Sequence, residues 1–252
     1  GRWVSKTDGI QQQNWLEGFG STIDNSEPYE KSPGFFATES QDERYHITNK
    51  TSVDNDECAI LAHGVEAAVQ QGRASPMDSS TCSHGGIIII SDVVEQDIDY
   101  LYQRTLAMKD ATRMWHIHEM SPPSDSNDVY LVIGNTGVHA PTGKQVAKVA
   151  EMLQQDPSRM KEIDTIGQIA RRGIKALKEG DFAAVGRTMT ENQLMLSSIG
   201  VSSPELDNLI RAASPSSLGA KLTGAGGGGC MVALTRNPKE TSDAIELAGG
   251  RT

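Results

Sequence analysis

A run of five glycines within six positions, from residue 224 to residue 229, constrains the fold of this chain more than any other feature of its sequence. Glycine loses more backbone freedom on folding than any other residue, so such a loop needs a compensating role. Glycine also permits positive φ angles and close approach to the backbone, and exposed amides in such a loop form an anion-binding nest. Lys221, just before the run, adds a positive charge. We therefore predict an anion-binding loop that consists of Gly224, Ala225, Gly226, Gly227 and Gly228.

The segments on either side of the glycine run decide between the interpretations of it. Residues 220–223 and 230–235 are both predicted to be strands. The spacing of Gly224, Gly226 and Gly229 satisfies a dinucleotide-binding motif, but that motif needs a helix after the run, so it is disfavoured. The sequence has no GxxxxGK followed by Ser or Thr, which excludes a P-loop. A flexible turn without a ligand stays open as the structural alternative.

A second motif, at residues 74–80, reads Ala-Ser-Pro-Met-Asp-Ser-Ser. It follows apolar residues at helical spacing over 56–71, and it precedes four isoleucines at 87–90 that favour a buried strand. Pro76 fixes its own φ and restricts the residue before it, so we predict a rigid turn. An aspartate on such a turn is well placed to accept a proton or to orient a hydroxyl, which makes Asp78 the candidate catalytic residue. A structural aspartate in a serine-rich turn is the alternative.

Several charged side chains near this motif have both a functional and an ordinary interpretation. Glu66, on the predicted helix, could ligate Mg²⁺, which prefers few protein carboxylates, or it could be a solvated surface residue. Arg73 could hold an anionic group or be an ordinary surface arginine. His116 and His118 are two residues apart, which on a strand places both on one face, but no further ligand is nearby in the sequence.

Composition and charge narrow the classes of partner. The net charge of −10 disfavours nucleic acid and an anionic membrane surface, and it means that an anionic substrate would need local positive charge. The longest apolar run, at residues 87–90, is too short to cross a bilayer, and the N-terminus lacks the pattern of a signal peptide. Three widely separated cysteines argue against a disulfide framework and favour a reducing cytoplasm.

The remaining pattern predicts an α+β fold. Residues 1–56 have no regular apolar spacing, and residues 98–108 are compatible with a helix. Residues 130–133 are predicted to be a buried strand, and four helices follow at 144–154, 160–179, 181–198 and 203–213. Gly180 and Gly200 are predicted to end the second and third of these helices, Asp181 to cap the third, and Ser202 or Ser203 to cap the fourth. Helices followed by strands, without strict alternation, favour this class over a doubly wound sheet.

Together, these segments resemble the GHMP kinases, and among them the mevalonate kinases of archaeal type. The resemblance is carried by residues 62–66, 72–78, 85–86, 132–138, 189–193, 199–201 and 219–234, which include both motifs. It implies an α+β, two-lobed GHMP kinase fold, with ATP and substrate in a cleft. The N-terminal lobe, similar to ribosomal protein S5, would span residues 1–129, and a ferredoxin-like lobe would span residues 130–252.

The resemblance also implies a role for individual residues. Asp78 would orient or deprotonate the C5 hydroxyl of mevalonate or of a similar small hydroxy acid, and Glu66 would ligate Mg²⁺ beside ATP. The remaining predicted contacts with substrate or phosphate, besides the glycine run, are Arg73, Ser75, Thr142 and Lys221. Alternatives are another GHMP kinase, acting on phosphomevalonate or a sugar, and a non-catalytic module on the same fold. The sequence leaves the oligomeric state open, with a homodimer as one alternative.

The chain departs from the family pattern in its first third. Residues 1–56 contain neither the Pro-Gly-Lys strand nor the Gly-Leu-Gly-Ser-Ser phosphate loop of the GHMP kinases. An additional glutamine, Gln70 or Gln71, shifts the helical phase of Glu66 relative to Asp78. Two interpretations follow: an ordinary kinase whose first third is incomplete or incorrectly assigned, or a degenerate homologue that kept the fold and lost ATP chemistry. The intact aspartate motif and glycine run favour the first.

Overall fold

The computed structural model describes residues 55–69, 72, 74–107, 112–121, 123 and 128–252. Helices and antiparallel sheets are both present, which confirms the predicted α+β class. The chain divides into two compact units, one that ends at residue 121 and one that begins at residue 122. No helix among the described residues is both long and apolar enough to cross a membrane.

The described residues of the first unit form two helices and a three-stranded sheet. Its elements are α1 (Asn55–Val69), α2 (Met77–His84), β1 (Ile87–Ser91), β2 (Asp99–Ala107) and β3 (Thr112–Met120). All pairings in the sheet are antiparallel, in the order β1-β3-β2. The core of the unit forms where Ala59 of α1 packs with Tyr102 and Ile117 of the sheet. The predicted helix over 56–71 and the predicted strand over 87–90 are thus confirmed within one or two residues.

Two sequence predictions in this unit are wrong. The segment 98–108, predicted to be compatible with a helix, instead contains the strand β2 (Asp99–Ala107), where Tyr102 and Arg104 are buried while Gln103 between them is exposed. This alternation of period two follows from the pleat of the strand, because one face of the sheet packs against Ala59 of α1. The motif at residues 74–80, predicted to be a rigid turn, runs into the short helix α2 (Met77–His84), whose first turn contains Asp78. Proline is compatible with this position because it precedes the first helical residue and fixes a suitable φ.

In the second unit, the described strands and helices pack around one hydrophobic core. Its elements are β4 (Tyr130–Asn135), α3 (Thr142–Gln155), α4 (Met160–Lys178), α5 (Phe182–Ser198), α6 (Pro204–Ala213), β5 (Gly219–Leu222), β6 (Cys230–Thr235) and α7 (Pro238–Leu247). The sheet is antiparallel in the order β4-β6-β5. Leu206, Met231 and Ile245 are fully buried between α6, α7 and the sheet.

The helix ends of this unit follow the local signals in the sequence. The Asp181 side chain accepts a hydrogen bond from the Ala184 amide at 2.9 Å, and the Ser203 hydroxyl accepts one from the Leu206 amide at 3.3 Å. Gly180 and Gly200 have positive φ angles of 71° and 77° just beyond α4 and α5. The predicted caps and boundaries of these helices are therefore confirmed.

Candidate functional site

Asp78 is presented to solvent by a short helix whose neighbouring residues are anchored in the core. Ala74, Pro76 and Ser79 are buried, whereas Ser75 and Asp78 are exposed. Among the described residues, Asp78 has no hydrogen-bond or ion-pair partner. Its place in the first turn of α2 puts the carboxylate at the helix end that attracts negative charge. The carboxylate is thus fixed by its backbone but remains available to a ligand.

Hydroxyl groups hold the start of α2 against the sheet of the first unit. The Ser80 hydroxyl is within hydrogen-bond distance of the Pro76 carbonyl at 2.5 Å and of the Tyr102 hydroxyl at 2.9 Å. The Ser79 hydroxyl donates to the same Pro76 carbonyl at 3.2 Å. Burial raises the pKa of the Tyr102 hydroxyl, so this group stays a neutral partner. These bonds fix the turn of helix from which the Asp78 carboxylate projects.

A buried histidine fixes the segment just before that turn. The Arg104 Nε donates to His63 Nδ1 at 2.9 Å, so the proton of the neutral His63 ring lies on Nε2, which donates to the Ala74 carbonyl at 3.2 Å. Burial lowers the pKa of His63, the hydrogen bond to Ala74 opposes this effect, and the nearby charge of Arg104 adds to it. His63 is therefore neutral and links β2 to the backbone that leads into α2.

The structure describes some, but not all, of the other charged residues that the sequence indicates as site candidates in the first unit. Glu66 is half-buried on α1, whereas Arg73 lies outside the described residues. His116 and His118 do lie on one side of β3, where the Tyr100 ring contacts both at centroid distances of 6.0 and 5.5 Å. Within the described ranges, no group of three or more His, Cys, Asp or Glu side chains could hold a metal ion.

The glycine run of the second unit forms a tight loop that only glycine can occupy at its centre. Gly224, Gly226, Gly227, Gly228 and Gly229 all have positive φ angles, from 73° to 148°. A Cβ at Gly226 would lie 2.0 Å from the Val201 carbonyl oxygen, which is less than any real contact distance. At Gly224, by contrast, a Cβ would meet no atom within 4 Å. The glycines therefore serve two purposes: backbone conformation throughout, and close packing in the middle of the loop.

Only part of the loop is free to bind an anion. The Gly227 amide donates to the Val201 carbonyl at 2.7 Å, and the Gly229 amide donates to the Val138 carbonyl at 2.8 Å. In the described part of the chain, the amides of Gly224, Ala225, Gly226 and Gly228 form no hydrogen bond. Gly227 therefore contributes through its lack of a side chain, while the four other amides remain as donors.

Lys221 brings a positive charge to the strand that leads into the loop. It lies half-buried on β5, where its ammonium group donates to the Leu222 carbonyl at 2.8 Å. Burial lowers the pKa of Lys221, and no carboxylate among the described residues forms an ion pair with it. A buried ammonium group without an anionic partner is costly to the folded state, and such groups cluster at functional sites.

The start of α3 packs against the same loop. Thr142, the first residue of this helix, is exposed, and the first turn places the Gln145 side chain so close to Gly227 that a Cβ there would lie 2.1 Å from Gln145 Nε2. The Thr136 hydroxyl donates to the Gly229 carbonyl at 2.9 Å. The start of α3, which contains Thr142, therefore lies beside the glycine loop, and Lys221 lies on the strand that leads into it.

Sequence reasoning missed residues that act by supporting others. Arg104 lay in a segment compatible with a helix, where its burial had no signal, and Gln145 gave no sign of contact with the glycine run. For Gln145 only the tertiary structure reveals the close approach to Gly227. For Arg104 only the tertiary structure reveals the contact with His63.

The comparisons with known proteins identify the class to which this architecture corresponds. Residues 174–248 match the family described as GHMP kinases C terminal. The L. major mevalonate kinase solved in complex with R-mevalonate shares 27% sequence identity, with a TM-score of 0.57 over 78% of this chain and 54% of that chain. The chain therefore has the GHMP kinase fold.

Within that class, the predicted resemblance to archaeal mevalonate kinases is confirmed. The mevalonate kinase of Pyrococcus furiosus is 31% identical over 206 residues, which are 79% of this chain and 54% of the relative. The chain thus spans about half the length of the curated relatives it matches. A Streptococcus pneumoniae phosphomevalonate kinase, solved with phosphomevalonate and AMPPNP, has a TM-score of 0.59 at 16% identity over 79% of this chain and 60% of that chain, and shares the fold alone.

Proposed function

We propose that this protein transfers the γ-phosphoryl group of ATP to the C5 hydroxyl of mevalonate. The observation that carries the proposal is the glycine loop, which keeps four backbone amides unbonded and follows the strand of Lys221, an ammonium group without a carboxylate partner among the described residues. Such an arrangement suits a polyphosphate, because phosphate oxygens accept hydrogen bonds and supply the missing negative charge. The likeness to mevalonate kinases supports mevalonate as the acceptor.

In this proposal, Asp78 acts on the acceptor. Its carboxylate accepts the proton of the C5 hydroxyl as the oxygen attacks the γ-phosphorus; the new O–P bond forms while the bond from the γ-phosphorus to the bridging β-oxygen breaks, and ADP leaves. Phosphoryl transfer depends mainly on positioning and on neutralisation of charge. The hydroxyls of Ser79 and Ser80 fix the helical turn of Asp78, so the acceptor would meet a carboxylate that needs little rearrangement.

The phosphate groups would be held by the loop amides and by cationic side chains. The amides of Gly224, Ala225, Gly226 and Gly228 would donate to phosphate oxygens, and Lys221 would neutralise charge that develops during transfer. Thr142, exposed at the first position of α3, would add a hydroxyl donor, as would Ser75 beside the acceptor. Arg73 would hold the carboxylate of mevalonate or a phosphate. Mg²⁺, with Glu66 as its protein ligand, would supply further charge neutralisation to the triphosphate.

The test is a coupled assay of ADP release with ATP, Mg²⁺ and a panel of acceptors that contains mevalonate, phosphomevalonate, galactose and homoserine. We expect turnover with mevalonate, and we expect Asp78→Asn to lower kcat by about 10²-fold or more while ATP affinity stays unchanged. Asp164→Asn, at an exposed position on α4, is the matched control and should retain full activity. An Asp78→Asn variant that keeps most of its turnover would show that the carboxylate is structural.

Two other functions remain as outcomes of the same panel. Turnover with phosphomevalonate or a sugar, but not with mevalonate, would assign a different GHMP kinase activity, which the shared fold of phosphomevalonate kinase allows. A folded protein that binds no ATP in calorimetry would be a non-catalytic module. We place the reaction in the cytoplasm, in keeping with the three free cysteines.

A further inference from the structure

The carboxamide of Gln193 joins three elements of the second unit. Gln193 lies on α5 and is 7% exposed. Its Oε1 accepts a hydrogen bond from the Leu222 amide of β5 at 2.9 Å. Its Nε2 lies 3.2 Å from the hydroxyls of Ser197 and Ser202, and 3.4 Å from Asp207 Oδ1. Because the Leu222 amide can only donate, the orientation of this carboxamide is fixed by its partners.

These partners reach the glycine loop from two directions. Leu222 is the last residue of β5, two positions before Gly224. Ser202 follows Val201, whose carbonyl accepts the hydrogen bond from the Gly227 amide. The Ser202 hydroxyl also donates to Asp207 Oδ1 at 2.6 Å, which holds the turn between α5 and α6. Gln193 thus ties the entrance of the loop to the carbonyl that fixes its centre.

A glutamine that only filled the core would not need this set of contacts. A leucine of similar size would pack at the same position without the cost of burying an amide. The Oε1 of Gln193 instead bonds the Leu222 amide, just before the loop. Its Nε2 bonds Ser202 and Asp207, which hold the segment that contains Val201. Burial of a fully satisfied carboxamide fixes one arrangement of the segments around it, whereas apolar contacts tolerate small displacements.

We propose that Gln193 is a positioning residue for the glycine loop. Gln193 sets the spacing between the end of β5 and the Val201 carbonyl. It thereby keeps the unbonded loop amides in the arrangement that receives the nucleotide phosphates. The inference deepens the proposed function and rests on it for the identity of the ligand. Gln193 itself does not contact the ligand. Its effect is therefore on nucleotide affinity and not on the chemical step at Asp78.

The experiment compares wild-type protein with Gln193→Leu and with Ser202→Ala, a milder variant that removes one partner of the same network. Calorimetry with Mg²⁺ and a non-hydrolysable ATP analogue measures affinity, and steady-state kinetics separate the KM for ATP from the KM for mevalonate. We expect Gln193→Leu to weaken nucleotide binding about tenfold or more, because it leaves the Leu222 amide and the two serines without their partner. The KM for mevalonate should change by less than about twofold.

Thr241→Val is the matched control for a general loss of stability. The Thr241 hydroxyl is fully buried and donates to the Ser216 carbonyl at 3.1 Å, in a hydroxyl cluster with Thr235 at the opposite end of β6 from the glycine loop. This variant should lose thermal stability without losing nucleotide affinity. Equal loss of affinity in Thr241→Val and Gln193→Leu at equal loss of stability would overturn the proposal.

Amide hydrogen exchange separates this inference from the proposed function. The Gly227 amide, which is protected by its hydrogen bond to the Val201 carbonyl, should exchange faster in Gln193→Leu, and less so in Ser202→Ala, whether or not a nucleotide binds. If the wild-type protein binds no nucleotide but the variants speed loop exchange, the proposed function fails and the positioning role stands. If the Gly227 amide exchanges at its wild-type rate in both variants, or in Ser202→Ala when Gln193→Leu does not fold, Gln193 does not position the loop.

Discussion

Substitution of Gly226 by alanine, compared with the same substitution at Gly224, isolates the role of close packing in the glycine loop. Both residues have a positive φ, 82° at Gly226 and 77° at Gly224, so alanine is strained at both positions. The two sites differ in their surroundings. A Cβ at Gly226 would lie 2.0 Å from the Val201 carbonyl oxygen, whereas a Cβ at Gly224 would meet nothing within 4 Å. The pair therefore holds conformational strain constant and varies only the contact.

The expected magnitudes follow from these two differences. A left-handed conformation costs a residue with a Cβ about 1–2 kcal/mol, which is the whole cost at Gly224. At Gly226 the backbone must also move to relieve the clash, at about 1–3 kcal/mol for overpacking. That movement weakens the 2.7 Å hydrogen bond from the Gly227 amide to Val201, which is worth about 0.5–1.5 kcal/mol. We expect Gly226→Ala to lose about 3–6 kcal/mol, a large part of the stability of a domain.

Urea denaturation followed by circular dichroism measures both variants, because the free energy of unfolding extrapolates linearly with denaturant for each. Gly224→Ala should shift the midpoint slightly at an unchanged slope, and Gly226→Ala should shift it severely or leave the protein unfolded in buffer. Equal losses for the two variants would refute the reasoning, because the contact with Val201 would then carry no energy and backbone strain alone would explain the glycine run.

Three further predictions concern titration and buried polar groups. Burial lowers the pKa of Lys221, so Lys221→Met should raise the unfolding midpoint of the protein without ligand, and it should weaken nucleotide binding. The wild-type protein should also gain stability as pH rises toward 10.5, and calorimetric scans of the variant should lack this gain. The pKa of His63 is lowered in the folded state, so the stability of the wild-type protein should be complete above about pH 6.5 and should decline below it, because the unfolded chain then takes up the proton. Urea denaturation of His63→Asn at pH 7.5 and at pH 5.5 should show a smaller decline. Tyr102→Phe should cost about 1–2 kcal/mol in urea unfolding, since the Ser80 hydroxyl loses its buried partner, whereas Tyr130→Phe at an exposed position should cost less than about 0.5 kcal/mol.

The sequence allowed the second unit to be predicted well because its signals are local. Asp181 and Ser203 cap helices through hydrogen bonds that span three residues, and Gly180 and Gly200 end helices through their own φ angles. Each of these features depends on a few consecutive residues, so the pattern that predicts it lies in one short window. The strands at 219–222 and 230–235 are likewise recognisable because the glycine run between them excludes a helix.

The errors arose where distant contacts decide the local structure. Residues 98–108 have mixed propensity, and only pairing with β3 along the whole length of β2 selects the strand. The turn after Pro76 becomes helical because Ser79 and Ser80 bond back to the Pro76 carbonyl and because Tyr102 secures Ser80 from the sheet. The supporting roles of Gln193 and Arg104 have no local signature at all, since each depends on groups that are 29 and 41 residues away in the chain.

The two predicted functional elements are supported by contacts in different parts of the chain, and this difference has a consequence for experiments. The carboxylate of Asp78 stands on a short helix that is held by Ser79 and Ser80 and, from further along the chain, by Tyr102; all of these residues belong to the first unit. The glycine loop is fixed by the distant carbonyls of Val138 and Val201 and, through Leu222, by Gln193. Substitutions in the second unit that are remote from the loop should therefore disturb nucleotide binding more readily than proton transfer. A set of random destabilising substitutions in residues 128–252 should accordingly raise the KM for ATP before kcat falls, and a set that lowers kcat first would contradict this division.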